Sequence, residues 1–299
     1  MTEFLQQLLN GISLGAIYAL IALGYTMVYG VLRFINFAHS DVFMLGAYAG
    51  FYLAPRLWGG SFIGGMAVLA GAMALTALLG VIIEKLAYRP LRHRSTLTVL
   101  ITAIGVSLLI QNVAQNPRFG FGPNPRPFPA VFPERTLRLG GLVVNSNQLA
   151  VLAVTVGLLA LLYWIVHRTR IGTAMRAVSF NATAASLVGI NNDRVISFTF
   201  ALGSALAGAG GILYAMNYPA IEPLMGTLPG LKAFVAAVLG GIGNLPGAAL
   251  GGLLIGLVET LISGTRLSTF RDAIAFAILI GILLFRPAGL LGRVRIEKV

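Results

Sequence analysis

Leu9-Asn-Gly-Ile-Ser-Leu-Gly-Ala-Ile-Tyr-Ala-Leu-Ile-Ala-Leu-Gly-Tyr-Thr-Met-Val-Tyr-Gly30 carries no charge, and the uncharged run around it extends from Phe4 to Leu32. A helix needs roughly 20 apolar residues to cross a hydrocarbon core. Similar runs cover Leu57 to Ile83, Ser95 to Pro117, Leu139 to Val166, Val195 to Ile221 and Ala233 to Val258. The chain has 299 residues, 57% hydrophobic and 10% charged, against about 25% charged in soluble proteins. Period-two alternation is missing from these runs, and helices are then the only structure that satisfies its backbone in lipid. The sequence predicts an all-α polytopic membrane protein.

Directly after the first run comes Gly30-Val-Leu-Arg-Phe-Ile-Asn-Phe-Ala-His-Ser-Asp41. A His and an Asp two residues apart are costly near a bilayer and usually serve a purpose. Asn36, His39 and Asp41 are therefore candidates either for a translocation path or for capping and joining helices. The segment after them, Phe34 to Ala54, reads as a full span, a half-helix or a re-entrant piece. The total is accordingly eight or nine crossings, including short, broken or re-entrant segments, and nine place the N-terminus outside.

Basic loops set the orientation. Lys85, Arg89, Arg92 and Arg94 form one cluster, Arg168, Arg170 and Arg176 a second, and Arg286, Arg293, Arg295 and Lys298 a third. All three are expected on the cytoplasmic side, which leaves the C-terminus cytoplasmic. Residues 116–138 are rich in proline and lie one span away, so they are expected to form an outer loop, either a docking site or a plain connector. Gly240-Gly-Ile-Gly-Asn-Leu-Pro-Gly247 is a strong breaker. Parity favours a hairpin turning at Gly243 to Gly247, with two short arms, over one broken helix. The last span, Phe270 to Phe285, is expected to snorkel through Arg271 and Arg286. The pairs Gly60/Gly64, Ser204/Gly208, Gly247/Gly251 and Gly252/Gly256 have the small-xxx-small spacing of close helix contact, in a bundle that extends to a partner subunit.

Other classes fall away. The net charge of +12 resides in inter-helix loops, so nucleic-acid binding is not expected. With no cysteine, thiol chemistry and thiolate metal sites are excluded. The start lacks a basic leader region, so no removable signal peptide is expected. No catalytic motif, metal-ligand set or phosphate loop is present. Of the three histidines, His93 and His167 fall in basic loops. Any ATP must be hydrolysed by another chain. Asp41, Glu84, Glu259 and Asp272 are the intramembrane acids, all near expected helix ends. That leaves a secondary carrier or channel few groups for an ion site.

Thr173 to Val188 lacks Pro and Gly and reads as one helix stopped by Gly189, with Arg176 projecting. It reads either as a docking helix for a cytoplasmic partner or as an interfacial linker.

Four stretches together resemble a known family: Leu9 to Gly30; Ile35-Asn-Phe-Ala-His-Ser-Asp41 with Met44-Leu-Gly-Ala-Tyr48; Gly172-Thr-Ala-Met-Arg-Ala177 leading to Gly189-Ile190; and Gly230-Leu-Lys-Ala-Phe234 followed by Gly240 to Gly247. The chain resembles, over its whole length, the permease subunit of bacterial ABC importers for branched-chain amino acids, the LivH type. The family often has Gly where this chain has Ser40. The resemblance implies a single permease domain over 1–299 in the bacterial inner (plasma) membrane. Its partners would be a second, homologous LivM-like permease, two ATPase subunits (LivG/LivF-like) and a soluble solute-binding protein. No cofactor would be bound by this chain. Residues 168–194 would hold the coupling helix, with Gly172, Ala174, Arg176, Ala177, Ala185 and Gly189 as its residues and Arg176 as the polar contact. Asn36, His39, Asp41 and Asn244 would line the path or mark the fold. Permeases for urea or short amides share the pattern and remain the alternative substrate class.

Overall fold

A computed structural model describes residues 2–57, 59–92, 94–118, 120–139 and 141–292. His93, Arg293, Arg295 and Lys298 lie outside the described residues. The chain begins with α1 (Thr2–Leu32), α2 (His39–Leu53) and α3 (Phe62–Ile83), the last extended by a wide helical turn over Glu84–Tyr88. After α4 (Thr96–Gln115) come three short strands: β1 (Arg126–Pro127), β2 (Thr136–Leu139) and β3 (Leu142–Asn145). Then follow α5 (Ser146–Arg168), α6 (Arg170–Phe180), α7 (Ala182–Leu187) and α8 (Asn192–Asn217). β4 (Ala220–Ile221), α9 (Thr227–Gly240), α10 (Leu245–Ser263) and α11 (Arg271–Phe285) complete the chain.

Seven helices are long and apolar enough to cross a membrane, and α9 is a shorter apolar helix. With 15 residues, α2 is also short, about 22 Å at 1.5 Å per residue. Counting both short helices, the described chain passes nine times between two faces, the larger of the two expected numbers. One face holds the proline-rich segment: Gln6 Nε2 donates to Val143 O at 2.9 Å, so α1 starts there. The other holds the basic loops: Arg89 and Arg92 pair with Asp193, and Ser179 Oγ donates to Gly30 O at the end of α1.

The core is built around α1, buried without interruption from Ser13 to Val28. It packs on α10, α8 and α9. Small residues make this possible, because in lipid close backbone approach replaces hydrophobic exclusion as the source of helix affinity. Gly252 and Gly256 face Ala19 and Gly15 of α1, Gly247 and Gly251 face Gly240 and Ala236 of α9, and Ser204 and Gly208 face Gly80 and Thr76 of α3. These pairs are consumed inside the subunit and do not extend the bundle to a partner. Gly60 lies outside any helix with φ +89°, so Gly60/Gly64 is not a helix pair at all.

The hairpin expected from parity is present, with two adjustments. α9 ends at Gly240, Gly241 and Gly243 take positive φ, and α10 begins at Leu245. Gly247 is therefore inside a helix and the turn lies earlier than 243–247. Only one arm is short, since α10 continues for 19 residues. Leu290 N and Leu291 N donate to Leu239 O and Gly240 O at 2.8 and 3.1 Å. The end of the described chain thus sits on the basic face.

Candidate functional site

The polar corner after α1 is where the fold departs from simple spans. α1 ends at Leu32, Arg33 takes the left-handed conformation (φ +56°), and residues 33–38 run without helix until α2 begins at His39. A non-glycine residue in that conformation stores strain of about 1–3 kcal/mol. Asn36, His39 and Asp41 are all at least 95% buried. Tyr88 donates its hydroxyl to Asn36 Oδ1 at 2.6 Å. Gln111 of α4 donates to Asp41 Oδ1 at 2.9 Å. The His39 ring packs on Tyr25, centroids 4.6 Å apart, against the backbone of Gly24, where any Cβ would collide with the imidazole. His39 Nε2 and Asp41 Oδ2 have no partner. No side chain caps the start of α2, so the cluster joins helices and does not cap one. Ser40 is helical, so serine fits where the family often has glycine.

α2 and α9 start against each other. Gly226 and Gly230, at the head of α9, pack on Ser40 at the head of α2, and the two helices then run to opposite faces. Neither start has a side-chain cap, whereas α3, α4, α6, α8 and α10 are each capped by Ser, Thr or Asn. Lys232, in the second turn of α9, is 96% buried. Its Nζ lies 2.6 Å from Glu259 Oε1 and 2.7 Å from Asp272 Oδ1. The second contact has ion-pair distance without hydrogen-bond alignment. Tyr18 donates to Glu259 Oε2 at 2.9 Å, and Arg271 lies 3.9 Å from Glu259. Arg271 therefore joins this network, a role beyond snorkelling. In the sequence Lys232 stands out only as part of the family stretch Gly230 to Phe234. Its signal was a lone Lys in an otherwise apolar helix, which demands a buried acid.

The basic face carries the coupling candidates, and here the single expected helix is broken. Asn181 is extended and its side chain accepts from Ala184 N at 3.0 Å, so it ends α6 and caps α7. The break was legible: Asn competes for local backbone bonds inside a helix and favours caps. Gly172, Ala174, Arg176 and Ala177 belong to α6, while Ala185 lies on α7 and Gly189 stops it with φ +85°. Arg176 does not project. Its guanidinium turns back to donate to Val166 O at the end of α5 and to Thr173 Oγ1. Gly172 is buried against the same carbonyl end. What projects is apolar: Phe180, Leu187 and Val188 are 78%, 83% and 77% exposed. Buried Glu84 accepts from Arg92 and from Ser197 of α8, 2.6 Å away, tying the first basic loop to this segment.

A cavity of about 610 Å³ opens on the same face, lined by Tyr29, Arg33, His167, Arg176, Ile242 and Asn244 among others. Asn244 also caps α10 through Gly247 N at 3.1 Å and donates to Leu291 O at 2.7 Å. Thus Arg176 and Asn244 meet at one cavity, while Asn36, His39 and Asp41 lie deeper. On the opposite face the proline-rich loop folds onto α2: Phe121 stacks on Tyr48 at 3.8 Å and Arg126 donates to Tyr52 at 3.2 Å. Among the described residues, no group of three His, Asp or Glu could hold a metal.

The family model described as "Branched-chain amino acid transport system / permease component" matches residues 7–283. The chain is 42% identical over 307 residues to the high-affinity branched-chain amino acid transport system permease protein BraD of Pseudomonas aeruginosa, covering 99% of this chain and 98% of that protein. It is 41% identical over 305 residues to the corresponding permease protein LivH of Escherichia coli, with the same coverage. Among solved structures, PsaBC from Streptococcus pneumoniae in complex with Fab is similar at a TM-score of 0.49 and 14% identity, over 95% of this chain and 92% of that one.

Proposed function

The chain belongs to the branched-chain amino acid transport system permease component family, and from that premise we propose that it is the membrane subunit of an ATP-driven importer. Its cargo is branched-chain amino acids, carried across the bacterial inner membrane. ATP is hydrolysed by two separate LivG/LivF-like subunits on the basic, cytoplasmic face. A second, LivM-like permease completes the membrane part. A solute-binding protein delivers cargo at the proline-rich loop, residues 116–138.

The observation that carries this reading is the pair α6–α7. It is anchored to the bundle through Arg176–Val166, Ser179–Gly30 and the nearby Asp193–Arg89 pair. Yet it presents Phe180, Leu187 and Val188 to the outside, beyond the ends of the long helices. An apolar helix face of this kind suits a hydrophobic groove on a partner. Transport is then a shift between two conformations driven by the nucleotide state of that partner, with no covalent step in this chain. The test is leucine uptake into vesicles containing the full complex. ATP-dependent uptake is expected, with Phe180→Asp/Leu187→Asp lowering both ATPase retention and uptake at least tenfold. Uptake driven by an ion gradient without ATP overturns the reading.

A further inference from the structure

We propose that Tyr25, Phe37 and Phe234 form the cytoplasmic-side gate of the translocation path, and that residues 33–38 open it in response to α6. The inference rests on the transport reading above and adds where the path runs.

Three observations meet at this place. The cavity at the basic face has a volume of about 610 Å³, within the roughly 300–1,000 Å³ of small-molecule sites. A second, far smaller space of about 10 Å³ shares Tyr29 and Ile242 with that cavity and is bordered by Tyr25, Ile35, Phe234 and Ala237. That is at the lower limit for a single water molecule, so the vestibule ends there. The closing side chains are aromatic: Tyr25 and Phe234 meet edge to face at 6.0 Å, and Phe37 and Phe234 lie 6.5 Å apart. An apolar constriction of this kind blocks water and solute by dewetting and opens with a modest ring displacement. Tyr25 also packs on His39, the neighbour of Ser40, where the two uncapped helix starts meet at Gly226 and Gly230.

The gate also has a way to move. Phe37 and Phe234 are only partly buried, and Phe37 sits on the non-helical segment that follows the strained Arg33. Ser179 of α6 donates to Gly30 O, in the last turn before that segment. On the other side of the cavity, Gly241 and Gly243 hold positive φ at the end of α9, the helix that carries Phe234. A displacement of α6 is thereby passed to the backbone that bears Phe37. Ser179 is a positioning residue; Tyr25 and Phe234 border the constriction, and Phe37 backs Phe234 from the non-helical segment.

The chain has no cysteine, so single cysteines report accessibility on a clean background. In the assembled complex without nucleotide, Ile242→Cys is expected to react with a hydrophilic thiol reagent from the basic side at least tenfold faster than Ser40→Cys. Phe234→Ala should raise Ser40→Cys labelling about tenfold and release preloaded leucine from proteoliposomes without ATP. Ile101→Ala, on the exposed side of α4, should do neither. Ser179→Ala should keep vesicles tight but lower uptake per ATP hydrolysed. Equal labelling of Ile242→Cys and Ser40→Cys in the unsubstituted gate overturns the proposal, and needs no aromatic variant to fold. So does a tight, unaltered Phe234→Ala in a complex whose ATP-driven uptake works. Loss of ATP-driven uptake in the parent complex overturns the transport reading instead.

Discussion

Two polar clusters lie inside this bundle, and they are satisfied to very different degrees. In the one centred on Lys232, both oxygens of Glu259 receive a donor, Lys232 Nζ at 2.6 Å and Tyr18 at 2.9 Å, and Asp272 supplies a second acid to the same ammonium. In the one following α1, Asn36 and Asp41 each have a partner, but His39 Nε2 and Asp41 Oδ2 have none. A buried ion pair whose carboxylate takes a second donor costs several kcal/mol to separate in a low-dielectric interior, although Asp272 Oδ1 keeps only an unaligned contact, so it fixes α1, α9, α10 and α11 as one body. An under-satisfied cluster has alternatives of similar energy, which suits a corner that must change shape. The difference separates a frame from a moving part.

The largest effect is expected from breaking the frame. Lys232→Met leaves Glu259 buried without its principal counter-charge and should cost about 3–5 kcal/mol, seen as a lower thermal midpoint in detergent and reduced recovery. The double variant Lys232→Met/Glu259→Met removes both charges and should be more stable than Lys232→Met alone. If the two losses simply add, the residues do not act as a unit and the contrast with the corner fails.

The corner should respond to crowding before it responds to charge. Gly24→Ala places a methyl group where the His39 ring now lies. Overpacking of this kind costs about 1–3 kcal/mol. His39→Ala should return most of that loss in the Gly24→Ala background, measured by the same thermal midpoint. A purely additive pair would show that the ring is already free to move aside.

A smaller effect is expected at the bond between Asn36 and Tyr88. Tyr88→Phe removes the donor and leaves a buried amide oxygen unmatched, worth about 1–3 kcal/mol. If the corner is the moving part, this variant should also change uptake by more than its thermal shift suggests. A change in stability alone places Tyr88 with the frame.

Much of this was legible in the sequence because lipid imposes a simple rule. Uncharged runs such as Phe4 to Leu32 and Val195 to Ile221 became α1 and α8, since a backbone in hydrocarbon must bond to itself. Parity also yielded the α9–α10 hairpin and its common face with the basic loops. What was not legible depended on pairing across distant segments. Lys232 looks like a polar accident until Glu259 and Asp272 are brought to it. The small pairs in α10 read equally well as contacts with another subunit, and only the packing shows Gly252 and Gly256 spent on α1. Arg176 read as a projecting charge because nothing local shows that Val166 O waits ten residues earlier. The break at Asn181 was local and visible, but absence of Gly and Pro outweighed the capping tendency of Asn.

The mildest change compares the same chemistry in both clusters. Glu259→Gln turns one used acceptor into an amide nitrogen facing a donor, either Lys232 or Tyr18, and leaves Lys232 with Asp272 alone. Asp41→Asn can keep its oxygen toward Gln111 and place its nitrogen at the position that now has no partner. The cost should therefore be below about 1 kcal/mol for Asp41→Asn, as for an exchange that leaves its one hydrogen bond intact, and at least twice that for Glu259→Gln. Thermal midpoints measured side by side decide it. An Asp41→Asn loss equal to that of Glu259→Gln would mean the corner is held as rigidly as the frame, and residues 33–38 could not then be the segment that moves.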